Sequence, residues 1–142
     1  GNFGQANYGA AKLGLVGFMN TMKIEGAKYD IRVNALCPVA GTRMTEGLIS
    51  EEAFARLKPE YVSPAMINLV KQDAPTGMIL SAAGGSFSAA RIEESRGAFV
   101  GHDEACNAEA VAAHWEAITD FSSGVAMEAG GLHSRHLLSL QG

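Results

Sequence analysis

Residues 5–38 read QANYGAAKLGLVGFMNTMKIEGAKYDIRVNALCP, and their reading decides the fold. From Gln5 to Ala27 no proline interrupts the run. Leu13, Leu15, Val16, Phe18, Met19, Met22 and Ile24 spread around most of a helical circumference, the pattern of a helix covered on more than one side. Gly9, Gly14 and Gly17, with Ala10 and Ala11, allow close backbone approach. The cover is either the protein's own sheet alone or that sheet together with a neighbouring subunit. Ile31 to Pro38 then reads as a short buried strand rich in β-branched residues and ended by proline. A long helix leading into a buried strand is the repeating unit of a parallel α/β sheet.

Downstream, VAGTRMTEGLIS reads as a loop. Ser50 followed by Glu51 and Glu52 is a strong helix start, because a hydroxyl cap and an acidic first turn suit the exposed amides. The helix it opens runs through Leu57. Ser63-Pro64 starts another helix, reaching Gln72, with proline at the first helical position. Gly77 to Ala83 is a second strand, closed by Gly84-Gly85. Short extended pieces are expected around Glu94 to Gly97. Asn107 is expected to cap a helix through Phe121, with Val111, Trp115 and Ile118 on one face and Trp115 as its anchor. The Gly-, Ser- and His-containing stretch after Ser122 reads as a loosely held tail. The fold class is therefore α/β, the C-terminal half of a doubly wound Rossmann-type parallel sheet, followed by a helical C-terminal extension. The expected divisions are 1–85, 86–121 and 122–142.

Composition narrows the functional classes. The 142 residues carry a formal net charge of -4, and their 11 Lys and Arg are scattered. No basic stripe is available to neutralise phosphates, so nucleic acid is excluded as a main partner. Apolar stretches are interrupted well before bilayer length, so no membrane span is expected. Cys37 and Cys106 are too few and too far apart for a disulfide framework or a zinc site. They suit a reducing, cytoplasmic setting. His133 and His136 read as surface histidines rather than metal ligands, and Glu93 with Glu94 as a solvated pair, so no metal is expected.

Two residues stand out chemically. Tyr8 and Lys12 are four apart and so project from one face of the first helix. A free phenol is a poor base at neutral pH. A neighbouring ammonium favours the phenolate by charge attraction, fitting such a tyrosine to exchange a proton with an alcohol. The spacing alone is weak evidence; its context is not.

YGAAK, RVNALCP and VAGTRMT follow one another in the order, and at the distances, of the C-terminal half of the short-chain dehydrogenase/reductase family, which this sequence resembles. GNFGQANYGAAKLGL, NALCPVAGTRMT and LKPEYVSP are similar to a narrower branch, the (3R)-hydroxyacyl-CoA dehydrogenase units of peroxisomal multifunctional β-oxidation enzymes. The similarity continues through RIEESRGAFV and NAEAVAAHWEAITDF. It implies an oxidoreductase of fatty acid metabolism that uses NAD or NADP and acts on an acyl-CoA substrate. Tyr8 would be the acid/base, with Lys12 its tuner and ribose ligand. Pro38, Val39 and Gly41 would line the nicotinamide, Thr42 would bond its carboxamide, and Met44 to Leu57 would form a flap over the substrate. Val39 stands where the family commonly has glycine.

The resemblance also places a glycine-rich pyrophosphate turn, a catalytic serine and adenosine-ribose ligands before Gly1. The 142 residues contain no such turn, so the chain alone is expected to bind no dinucleotide productively. Two functions follow: part of such an enzyme, or an inactive remnant serving assembly or interaction. In both, a homo-oligomer (dimer or tetramer) is expected through the 5–27 helix and the exposed edge of the 31–37 strand.

Overall fold

The computed structural model describes residues 1–141 and divides the chain into two compact units, Gly1–Ala90 and Arg91–Gly142. The first unit opens with α1 (Ala6–Gly26). The helix ends where Asp30, just after a 3-10 turn, takes the left-handed conformation (φ 54°), and the Ile31 N–H returns to the Gly26 carbonyl at 3.1 Å. Asp tolerates that conformation better than most residues with a Cβ.

The strand that follows, β1 (Ala35–Val39), begins four residues later than Ile31 and extends past the proline. Side chains explain the late start. Arg32 donates from Nη1 to the Gln72 carbonyl, and to that of Ala74 at 3.2 Å. The Val33 N–H goes to the Thr76 hydroxyl at 3.0 Å. Asn34 donates to the Leu69 and Pro75 carbonyls (3.0 and 2.7 Å) and accepts from the Met78 N–H at 2.9 Å. The regular ladder takes over only when the Ala35 N–H reaches the Met78 carbonyl at 2.8 Å.

Between the strands lie α2 (Glu51–Arg56) and α3 (Ser63–Val70). As expected, Ser50 caps α2, its hydroxyl accepting from the Ala53 N–H at 3.2 Å, and Glu52 pairs with Arg56 one turn on at 2.7 Å. Helix α3 carries proline in its first turn and stops at Val70, short of Gln72. Strand β2 (Ile79–Ala83) pairs in parallel with β1, Ala35 opposite Ile79 and Val39 opposite Ala83. Both α1 and α3 pack on β1.

Gly84 and Gly85 do not close the sheet. Their φ values of +54° and +84° form a tight two-residue turn, a conformation that matches the twist of an antiparallel hairpin. They lead into β3 (Ser86–Ala90), antiparallel to β2, so the sheet order is β1-β2-β3. Residues 86–90, read from sequence as the opening of the extension, thus complete the sheet. The side chains buried in this unit are few: Met19, Ala65, Leu69, Ala74 and Ala82.

The second unit is built on β4 (Glu93–Glu94), paired antiparallel with β5 (Val125–Ala126). Asn107 caps as expected, its Oδ1 accepting from the Ala110 N–H at 2.8 Å, but the helix is interrupted at His114 into α4 (Ala108–Ala113) and α5 (Trp115–Ile118). Trp115 is 60% exposed within the described residues and is not the anchor of this segment. Just beyond α5, Asp120 accepts from both the N–H and the hydroxyl of Ser122 (2.8 and 2.9 Å), which holds its carboxyl below the usual range. Residues 122–142 are not a loose tail throughout. They carry β5 and the ten-residue α6 (Gly130–Ser139), whose Leu132, His136 and Leu137 recur at helical spacing, with Leu140 next in that row at the C-cap.

Candidate active site

The first turns of α1 bring Tyr8 and Lys12 together. The Lys12 ammonium lies 5.5 Å from the centroid of the Tyr8 ring, and the ring is 55% exposed. Among the described residues, the Tyr8 hydroxyl has no hydrogen-bond partner and the Lys12 ammonium no ion pair. Both groups are open toward whatever lies in front of the helix.

The other predicted residues sit where β1 ends. Ligands of open α/β sheets bind outside the carboxyl ends of the strands, and Pro38 and Val39 are the last two residues of β1. Past them the chain folds tightly. The Thr42 N–H donates to the Thr45 hydroxyl at 2.8 Å, and that hydroxyl donates on to the Ala40 and Thr42 carbonyls (3.1 and 3.0 Å). Thr45 was not singled out in the sequence, yet it organises this loop; its signal was the TRMT spacing, which fits a local hydroxyl turn. The hydroxyl of Thr42 itself makes no hydrogen bond among the described residues. The Thr42 hydroxyl, the Lys12 ammonium and the Tyr8 phenol are all exposed and unpartnered among the described residues. Among the described residues, no hydrogen bond or ion pair joins the Tyr8–Lys12 pair to the 38–42 loop.

Gly41 fixes where the loop can run. Its N–H donates to the Leu57 carbonyl at 2.6 Å, and a Cβ on it would stand 2.8 Å from the Phe54 carbonyl oxygen and 3.2 Å from the Phe54 ring. The end of α2 is thereby latched to the loop after β1, while Met44 and Leu48 ahead of α2 are strongly exposed. Gly41→Ala is expected to cost about 2 kcal/mol through this overpacking. Calorimetry should show a melting point lower by roughly 6 °C; an unchanged melting point would mean the latch yields freely.

Comparison with known proteins decides the family. Residues 1–53 match the family described as short chain dehydrogenase. Over 125 residues the chain is 43% identical to the peroxisomal hydratase-dehydrogenase-epimerase of Neurospora crassa, covering 87% of this chain and 14% of that protein. The chain belongs to the short-chain dehydrogenase family. It is also 44% identical over 123 residues to the putative short-chain type dehydrogenase/reductase Rv0148 of Mycobacterium tuberculosis, covering 86% of this chain and 42% of that one. The structure of full-length peroxisomal multifunctional enzyme type 2 from Drosophila melanogaster superposes with a TM-score of 0.82 at 31% identity, covering 99% of this chain and 26% of that one. The chain thus spans 14% and 42% of the length of the two curated relatives, the Neurospora and mycobacterial proteins. The α/β architecture with a parallel strand pair is that of a Rossmann-type short-chain dehydrogenase.

Proposed function

We propose that residues 1–57 supply the proton-transfer pair, the nicotinamide loop and the substrate flap of an NAD- or NADP-dependent 3-hydroxyacyl-CoA dehydrogenase. The observation that carries this reading is the pairing of an unbonded Tyr8 with an unpaired Lys12 on one exposed helix face. The names of the Neurospora and Drosophila relatives, both peroxisomal, support it.

In this reading Tyr8 takes the proton of the substrate's 3-hydroxyl as the phenolate, becoming the phenol, and as the phenol gives that proton back in the reverse direction. The Lys12 ammonium stabilises the negative charge that develops on the phenol oxygen and reaches a ribose hydroxyl. Thr42 holds the carboxamide through its free hydroxyl, and Pro38, Val39 and Gly41 present an apolar wall. The segment from Met44 to Leu57 closes over the thioester, pivoting about the Gly41 latch at its C-terminal end. NAD or NADP, when bound, supplies the hydride acceptor.

A chimera tests this. The part of the mycobacterial relative that precedes the matched region is joined before Gly1. Oxidation of a 3-hydroxyacyl-CoA coupled to nicotinamide reduction is expected. A chimera that folds and binds dinucleotide but turns over no 3-hydroxyacyl-CoA would favour an assembly role.

The same structure supports self-association. Leu13, Leu15, Phe18 and Ile24 of α1 are more than half exposed, and one edge of β1 has no partner strand among the described residues. The open edge runs along Ala35–Val39 rather than 31–37, and because Pro38 has no N–H to give, pairing is confined to its first residues. Sedimentation at micromolar concentration is expected to show a dimer or tetramer; a monodisperse monomer would refute this. The free Cys37 and Cys106 fit a reducing compartment. The names of the eukaryotic relatives point to the peroxisome rather than the cytoplasm.

A further inference from the structure

Thr42 opens a tight turn, and its carbonyl accepts from the N–H groups of Thr45 and Glu46 at 2.8 and 3.0 Å. A threonine at the head of a turn ordinarily folds its own hydroxyl back onto an amide two or three residues on. Here the Thr45 amide is already taken by the carbonyl, and the Thr42 hydroxyl stays exposed and unbonded among the described residues. Closing the turn falls instead to the side chain of Thr45, which is half-buried. As acceptor, the Thr45 hydroxyl takes the Thr42 N–H at 2.8 Å. As donor, it shares its one proton between the Ala40 and Thr42 carbonyls, at 3.1 and 3.0 Å.

The peptide groups on both sides of the Thr42 Cα are thereby held, which sets the direction of its Cα–Cβ bond. Threonine is branched at Cβ and has few rotamers open to it, so the hydroxyl itself is confined. One residue earlier the Gly41 N–H is held by the Leu57 carbonyl at 2.6 Å, so the loop is fixed on that side as well. On the nicotinamide reading given above, we infer that Thr45 is a positioning residue for the cofactor, acting through Thr42 by holding that hydroxyl in one orientation for the carboxamide. A hydrogen-bonding group ordered in advance binds more tightly, because its ordering entropy is not met at the moment of binding. Valine matches threonine in shape and removes both halves of the Thr45 contact, whereas serine keeps both.

The test has two arms. In the full chain, amide hydrogen exchange at Thr42 reads the lock directly. Thr45→Val should speed it about ten-fold or more, the worth of one net hydrogen bond. Thr45→Ser should leave it slow, and so should Thr42→Val, which spares the backbone contacts. In the chimera that carries the mycobacterial N-terminal part, calorimetric titration with NADH and NADPH reads the consequence. Thr45→Val should weaken dinucleotide binding about ten-fold and Thr42→Val by a similar factor. Thr45→Ser should restore the parent affinity. The double variant should bind no more than about two-fold more weakly than Thr42→Val alone, because the two residues act as one unit. A merely structural role for Thr45 would give additive losses instead. Unchanged Thr42 exchange in Thr45→Val, parent affinity in that variant, or additivity in the double variant would each overturn the inference while leaving the nicotinamide reading intact. A folded parent chimera that binds neither dinucleotide would overturn both, and the parent's own failure tells that case from the others.

Discussion

Asn34→Ala is expected to destabilise the chain by about 3 kcal/mol, lowering the melting point by roughly 10 °C at matched protein concentration. Asn34 makes three hydrogen bonds, to the Leu69 and Pro75 carbonyls and from the Met78 N–H, so that one side chain ties the entry of β1 to the end of α3 and the entry of β2. Truncation leaves three partly shielded backbone groups without partners, and each lost bond removes about 1 kcal/mol. Asn34→Asp separates this account from a simple size effect. It keeps the acceptor for Met78 but places a carboxylate against two carbonyl oxygens, so it should be no better than alanine at neutral pH. An alanine variant melting within about 2 °C of the parent, less than 1 kcal/mol, would show that water replaces the amide.

Tyr8→Phe carries the other large effect. In the dinucleotide-complete chimera it should lower turnover of a 3-hydroxyacyl-CoA by roughly 10²–10⁴-fold, the range for loss of a positioned acid/base. Dinucleotide affinity and melting point should stay put. The Tyr8 ring is more than half exposed and its hydroxyl unbonded, so the fold loses nothing with it. Lys12→Met should lower turnover as well and also weaken dinucleotide binding, because the ammonium serves both partners. If Tyr8→Phe turned over at the parent rate, the proton would have to come from elsewhere and the proposed chemistry would fall.

Local signals with a single physical cause were legible in the sequence. Ser50 and Asn107 cap their helices because a short polar side chain meets a free amide wherever it stands. Helix α1 follows from a long run free of proline. The Tyr8–Lys12 pairing follows from helical geometry alone. What was not legible depended on distant partners. Nothing in IRVNALCP tells that Arg32, Val33 and Asn34 bond to residues 69–78, delaying the ladder to Ala35. The Gly84-Gly85 hairpin is legible in principle, because paired glycines between short apolar runs favour that turn, but the same pair also suits the end of a strand. In the second unit, Gly130-Gly131 lowers helix propensity and hid the periodicity of α6. The position of Glu94 against His133 bridges 39 residues and has no local trace.

The proline in β1 has a consequence for what can lie beside that strand. The Ala35 N–H faces β2, and amides alternate sides along a strand, so those of Leu36 and position 38 face the other way. Proline offers nothing there. A newcomer aligned along the open side can therefore accept a hydrogen bond from the Leu36 N–H but not from two residues further on, and its register must stop or veer before the loop that carries Thr42. The strand end is thus shielded from runaway stacking, and the ground in front of Val39 is kept clear of invading backbone.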